Sequence, residues 1–249
     1  MLERRWLAPD LEVSVLGLGT VKLGRNTGIK YPTAFDLPSD AEAANLLAVA
    51  RELGINLLDT APAYGLAEIR LGQLIKGQRD HWILGSKVGE DYDGDSHFDF
   101  TRTGAERSLA RSLTRLGTDH LDYCLLHSDG NDHDVLNSGA MDALARARDN
   151  GDVRAIGVSS KTLAGAMRAI ELGLDIVMLT INPEHRDEIP AAQQALDANT
   201  GVLVKKAMGS GHLSASESLS MVSQVPGVSA IITGTLNPAH LRANVQALI

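Results

Sequence analysis

Eight times along this chain a short run of β-branched or leucine-rich residues gives way to a longer amphipathic stretch, and no other feature constrains the fold as tightly. The strand patterns fall at 13–19, 55–59, 82–87, 121–127, 154–159, 176–180, 202–206 and 229–234. Helical patterns lie between them in AEAANLLAVARELG, AEIRLGQLIKG, GAERSLARSLTRLG, GAMDALARARDNG, LAGAMRAIELG and AAQQALDAN, and NPAHLRANVQALI follows the eighth strand. Several end in glycine, which readily takes the left-handed conformation that closes a helix. Near-continuous apolar strands joined by helices imply a parallel sheet covered on both faces. Eight such units predict an α/β fold, a closed (β/α)8 TIM barrel in one domain over 1–249. A doubly wound open sheet is the alternative, but it wants a G-x-G-x-x-G phosphate loop. Here Gly17-Leu18-Gly19 runs on into Thr20, Val21 and Lys22 with no third glycine and no helix expected. The opening RRWLAPDLEV reads as two short strands around a Pro-Asp turn, an N-terminal β-hairpin at the barrel bottom.

In such barrels the C-terminal ends of the strands carry the chemistry. Asp59 ends the second strand pattern, Lys87 the third and His127 the fourth, and Tyr64 lies shortly after Asp59. Taken singly, these read as a cap, a solvated charge, a satisfied core histidine and a turn tyrosine. Clustered on adjacent strand ends they read differently, because a lysine and a histidine ending apolar strands are costly unless partnered. The set suits carbonyl reduction. A tyrosine can protonate a carbonyl oxygen only if its pKa, about 10 when unperturbed, is drawn down by a neighbouring cation such as Lys87. Asp59 is expected to hold Lys87 in place and charged. His127 is expected to orient the carbonyl and stabilise negative charge developing on its oxygen.

Composition removes several other classes. With 249 residues, 44% apolar, the chain can bury a large core, and its formal charge of -8 is repulsive towards nucleic acid and anionic membranes. The start, MLERRWLAPD, lacks the apolar core of a signal peptide, and no apolar run approaches the roughly 18 residues of a spanning helix. A cytoplasmic protein without nucleic-acid or membrane partners is expected. The single cysteine, Cys124, lies inside an apolar strand pattern and reads as a buried thiol. Asp91-Tyr92-Asp93-Gly94-Asp95 invites a calcium reading and fails it, since glycine and glutamate are missing from the positions an EF-hand loop requires. His97 and His133 have no ligand spacing, so no metal site is expected.

At these residues the chain resembles the aldo-keto reductases, NAD(P)H-dependent carbonyl reductases built on the same barrel. The likeness runs from LEVSVLGLGTVKLG through NLLDTAPAYG and SLARSLTRLGTDHLDYCLLH to GDVRAIGVSS and IITGTLNPAHLRANV. It implies a catalytic tetrad of Asp59, Tyr64, Lys87 and His127, with Tyr64 as general acid and hydride passing from nicotinamide to the carbonyl carbon. It also implies NADPH, with NADH as the alternative cofactor, and places Gly19, Thr20 and Asp59 among the cofactor-binding residues. In the family a Ser-Asn pair after strand five and a Gln on strand six hold the carboxamide. The matching positions here are Ser159, Ser160 and Met178, which implies a looser anchor. Where many members stack an aromatic ring on the nicotinamide, this sequence has Lys205, followed by Lys206. A cation there should disfavour the positively charged oxidised ring, unless the side chain turns towards the phosphates or a carboxylate.

At the adenosine end the family's Lys and Arg around the 2′-phosphate align with Gly234 and His240, so His240 and Arg242 are the candidate cations. Backbone amides of Gly234, Thr235 and Asn237 precede a helix and suit phosphate, and Asn244 matches an adenine-contacting Asn. The family's C-terminal lid is expected to be missing, which implies an open pocket. Tyr31, Phe35, Tyr92, Phe98 and Phe100 fall in loops after strands one and three and are expected to wall that pocket. Glu90, Asp91, Asp93, Asp95 and Asp99, with Asp129, Asp132 and Asp134 after His127, predict an acidic mouth that favours a small neutral carbonyl substrate. The expected function is NAD(P)H-dependent reduction of aldehydes or ketones to alcohols. The alternative is a nucleotide-binding regulatory or redox-sensing barrel with negligible turnover.

Overall fold

A hairpin of β1 (Arg4–Ala8) and β2 (Leu11–Ser14) opens the chain, turning at Pro9-Asp10. The computed structural model describes residues 2–249. Barrel strands β3 (Leu16–Gly19), β4 (Leu57–Asp59) and β5 (Ile83–Val88) come next, then a rim hairpin of β6 (Glu90–Tyr92) and β7 (Ser96–Phe98). The barrel is completed by β8 (Leu121–His127), β9 (Val153–Ser159), β10 (Ile176–Thr180), β11 (Gly201–Lys205) and β12 (Val228–Thr233). Its strands are parallel and run in sequence order, and it closes where β12 pairs with β3, Ile231 opposite Leu16 and Thr233 opposite Leu18. The expected (β/α)8 barrel and its hairpin are both present.

Between the strands run α1 (Val21–Gly24), α2 (Asp40–Glu52), α3 (Ala67–Leu74), α4 (Arg102–Leu116), α5 (Asp132–Leu136), α6 (Gly139–Asn150), α7 (Leu163–Glu171), α8 (Ile189–Ala198), α9 (Ala215–Ser223) and α10 (Pro238–Gln246). Local chemistry sets their ends. Ser39 and Glu42 form a reciprocal capping box on α2, and Gly117 and Gly151 close α4 and α6 in the left-handed conformation. Among the described residues no helix is long and apolar enough to cross a membrane.

Strand alternation divides the core in two. On β8, Tyr123 and Leu125 turn into the barrel with Leu57, Met178 and Leu203, while Cys124 and Leu126 turn out to the helices. Burial there pushes the Cys124 thiol up, as befits an inert packed group. The hairpin plugs the lower end, since Leu7, Leu11 and Val13 join the inner cluster. Gly201 has no alternative residue, because a Cβ there would strike the Leu7 carbonyl.

Five elements differ from the sequence reading, two of them the short helices α1, directly after Thr20, and α5, neither of which has a counterpart among the helical patterns. The strand at 13–19 is two strands, because Ser14 Oγ donates to the Leu16 carbonyl at 2.7 Å where the chain leaves the hairpin for the barrel. The 88–100 loop contains the β6–β7 hairpin, whose strands are partly or fully exposed and so lack an apolar alternation. Helix α9 has no counterpart among the helical patterns, because serines occupy much of ASESLSMVS and only Leu219 and Val222 supply large buried apolar groups.

Candidate active site

The alternation that buries Leu57 also turns Asp59 inward, and Lys87 turns inward two residues after Gly85, the partner of Asp59 across the ladder. The Lys87 ammonium donates to both Asp59 oxygens, at 2.9 and 2.7 Å, and to the Thr60 carbonyl at 2.9 Å. It lies over the Tyr64 ring, 5.0 Å from the centroid. Tyr64 ends a single 3-10 turn, Pro62–Tyr64, and the His127 ring meets it edge to face with centroids 6.3 Å apart. The structure therefore brings the four sequence candidates together at one rim. It adds Tyr123, whose hydroxyl donates to Asp59 Oδ1 at 3.0 Å. The signal was present in LDYCLLH, where alternation puts Tyr123 on the same face as His127. Gly85 makes the room, since a Cβ there would strike the Tyr123 ring.

Burial penalises the Lys87 ammonium, but Asp59 and Tyr64 outweigh that cost and hold its pKa above the ordinary value. For Tyr64 the balance falls the other way from the sequence expectation. Burial raises the phenol, Lys87 draws it down, Asp59 opposes Lys87, and the net pKa is raised rather than lowered. Tyr64 is thus held as a protonated phenol. His127 is pushed well below its ordinary value by burial and then by the charges of Lys87 and Lys205, so its imidazole is neutral. Its Nδ1 lies 3.0 Å from Glu90 Oε2 but out of hydrogen-bonding alignment, leaving a buried polar atom unpartnered beside the cleft.

Asp59, Tyr64 and His127 open onto a cleft of about 670 Å³ that Gly19, Ser159, Met178, Lys205 and Gly234 also line. A second cleft of about 530 Å³, running to Thr235, His240 and Asn244, shares Tyr31, Lys206, Ser210, Ile232 and Gly234 with the first. The two are limbs of one elongated groove. A slightly larger groove, about 720 Å³, lies at the hairpin end, but its only charged lining groups are Glu3 and Arg5, which pair with each other at 2.8 Å. The cluster of ionisable side chains is at the rim.

The model of the Aldo/keto reductase family matches residues 15–221. The chain belongs to this family. D-threo-aldose 1-dehydrogenase of a Pseudomonas species is 32% identical over 240 residues, covering 84% of this chain and 70% of that protein. The uncharacterised oxidoreductase YqkF of Bacillus subtilis is 32% identical over 165 residues, 64% of this chain and 49% of that one. A solved aldo-keto reductase from Pseudomonas aeruginosa superposes with a TM-score of 0.90 at 48% identity, covering 98% of this chain and 93% of its own. The holo form of aldo-keto reductase AKR11C1 from Bacillus halodurans shares the fold, with a TM-score of 0.81 at 24% identity over 99% of this chain and 91% of its own. Aldo-keto reductases are NAD(P)H-dependent oxidoreductases.

A nicotinamide dinucleotide fits this aldo-keto reductase groove. The groove is long and two-limbed, Gly19 and Gly234 line it without side chains, and Lys206, at the junction of the limbs, has no carboxylate within ion-pair reach among the described residues. Thr235, His240 and Asn244 line the outer limb as the sequence suggested. Other candidates lie elsewhere. Arg242 turns away to pair with Glu52 of α2 at 3.0 Å and is not in the lining, which leaves Lys22, Lys206 and His240 as the basic groups of the outer limb. Thr20 is buried behind the cleft, donating from its hydroxyl and its amide to the Asp59 carbonyl at 3.1 and 2.9 Å. Ser160 is also buried, 3.4 Å from the Met178 carbonyl. Lys205 does not turn to a carboxylate among the described residues. Its ammonium donates to Ser159 Oγ at 2.8 Å and to the Ser160 carbonyl at 2.5 Å.

The expected acidic mouth does not form at the cleft itself. Asp132 is buried and holds Thr162, the N-cap of α7, accepting from Thr162 Oγ1 at 2.6 Å and from the Thr162 amide at 2.8 Å. Asp91 pairs with Arg111, Asp99 with Arg107 and Asp93 with His97. Of the acids named from the loops only Glu90 reaches the catalytic limb, which Arg25, Lys30, Lys161, Lys205 and Lys206 line against Asp59, Glu90 and Glu188. Asp59 is already matched by Lys87. The loop aromatics mostly hold the rim together: Phe98 stacks on Phe100 at 6.0 Å and Tyr92 lies under Arg25 at 3.6 Å, while Tyr31 alone of the five lines both limbs.

Proposed function

We propose that this protein reduces small aldehydes or ketones to alcohols, using NADPH or NADH, with Tyr64 as the proton donor. The observation carrying the reading is the buried Lys87–Asp59 pair set against the Tyr64 ring, with neutral His127 at its edge, all opening onto one cleft. A reduced nicotinamide, when bound, supplies the hydride that the carbonyl carbon requires. Gly19, Ser159, Met178 and Lys205 on the inner limb, with Lys206, Gly234, Thr235, His240 and Asn244 outward, are the residues that would hold it. Burial keeps the Tyr64 phenol protonated and ready to donate to the carbonyl oxygen. The Lys87 charge then stabilises the phenolate that remains, and Asp59 keeps that charge in position. His127, neutral, offers a hydrogen bond to the same oxygen without competing as an acid. In alcohol oxidation the proton returns to Tyr64.

The lysines around the limb remove the reason to expect discrimination against carboxylated aldehydes, so charge selectivity towards neutral substrates is not part of this reading. The test is oxidation of NADPH and NADH with aldehydes by the wild type and Tyr64→Phe. Removing a general acid is expected to lower kcat on the order of 10²–10⁴-fold while cofactor affinity is kept. Tight cofactor binding without turnover by the wild type on any carbonyl would replace this reading with the regulatory one.

A further inference from the structure

We infer that Lys205 is the residue by which this protein discriminates oxidised from reduced cofactor, presenting a charge to the nicotinamide in one protonation state and none in the other. The inference rests on the reductase reading above. Its basis is position. Lys205 ends β11 and lines the catalytic limb with Tyr64 and His127. A ring that delivers hydride to a carbon whose oxygen meets Tyr64 must approach that carbon to about 3–3.5 Å, which confines it to this limb. The charge of Lys205 reaches the same space, because it is among those that depress His127. Oxidised and reduced nicotinamides have nearly the same shape and differ by one positive charge at the ring. A nearby ammonium therefore repels one and not the other, most strongly where water is excluded.

The anchoring of Lys205 makes its charge conditional. Its partners are a hydroxyl and a backbone carbonyl, Ser159 Oγ and Ser160 O, and no carboxylate lies within 4.0 Å of its nitrogen among the described residues. Burial, then Lys206 and Lys87, push it down, and Glu188 and Asp132 oppose them, leaving it at about 7. Arg25, Lys30, Tyr31, Asp59, Tyr64, Glu90, His127, Lys161 and His185 are the further charged or titratable groups facing the limb, with Asp59 matched by Lys87 and His127 neutral. Below pH 7 Lys205 is an ammonium and the oxidised ring is disfavoured. Above it the amine is uncharged and the penalty fades. Binding of the oxidised cofactor near pH 7 should accordingly expel protons from Lys205, and binding of the reduced form should not.

The experiment measures dissociation constants for NADP⁺ and NADPH, and for NAD⁺ and NADH, by direct binding from pH 6 to 8.5. Wild type, Lys205→Met and Lys205→Arg are compared. The oxidised-to-reduced ratio of the wild type is expected to fall on the order of tenfold as the pH rises. The 2′-phosphate cancels, since both members of a pair carry it. Lys205→Met should hold the low ratio at every pH and lose proton release in calorimetry across buffers of different ionisation enthalpy. Lys205→Arg, charged throughout, should hold the high ratio. A purely structural tie between β11 and Ser159 would leave the wild-type ratio flat, or leave its pH dependence intact in Lys205→Met, and either result overturns the inference while the reductase reading stands. Failure of all four nucleotides to bind overturns both.

Discussion

Lys87 and Lys205 lie at the upper ends of barrel strands on opposite sides of one cleft, and only Lys87 has a carboxylate in direct contact. Lys87 meets the carboxylate of Asp59 with both oxygens and has its pKa raised. Lys205 meets a hydroxyl and a carbonyl, of similar hydrogen-bonding geometry, and is lowered to about 7. Hydrogen bonds to neutral partners therefore do not offset the desolvation of a buried ammonium, whereas a full counter-charge does. One half of the rim carries a permanent charge, set beside the proposed proton donor Tyr64. The other carries a conditional charge.

The comparison breaks most visibly at Lys87. Lys87→Met leaves Asp59 buried without its cation, which is expected to cost about 3–5 kcal/mol in urea unfolding and to lower kcat at least about 10²-fold. A smaller loss, within about 1 kcal/mol, would mean that Asp59 finds another partner, with Tyr123 the candidate.

Lys205 sharpens the contrast through pH. Its folded pKa is depressed below that of the unfolded chain, so between pH about 7 and about 10 the unfolded state binds more protons and stability should rise with pH. The Lys205 share of the slope should approach, and not exceed, about 1.4 kcal/mol per pH unit for one proton, and the lowered Lys22 and Lys206 add to it. Lys87, raised in the fold, contributes no such slope in that window. Urea unfolding at a series of pH values should show the rise in wild type and a smaller one in Lys205→Met. An unchanged slope in the variant would assign it to other groups.

The smallest effect concerns Lys161, which faces Phe98 at 5.7 Å and has no ion-pair partner among the described residues. Lys161→Ala is expected to lower kcat/KM for succinic semialdehyde a few-fold while leaving butanal unchanged, and high salt should erase the difference. An equal loss for both substrates would show that Lys161 acts through packing on the hairpin instead of through charge.

What was legible in the sequence followed from periodicity. Alternation along short strands places Asp59, Lys87 and His127 inward at the upper ends, and the same rule would have picked out Tyr123 had its polar end been weighed beside its apolar strand. The rim resisted this reasoning. Asp132 looks like a mouth carboxylate in sequence and is instead buried against Thr162, the N-cap of α7 that lies 30 positions on. Arg242 looks like a phosphate ligand and pairs with Glu52, 190 positions away.

The order of strands and helices, the inward residues at each strand end and the buried thiol at Cys124 were thus determined by the sequence alone. They depend on contacts within a strand or between neighbouring units. The tertiary structure alone decided which charges survive at the cleft, that Tyr64 stays protonated and that Lys205 turns to Ser159. A charge in a protein takes its value from whatever neighbours and solvent surround it, and here those neighbours come from strands far apart in the chain.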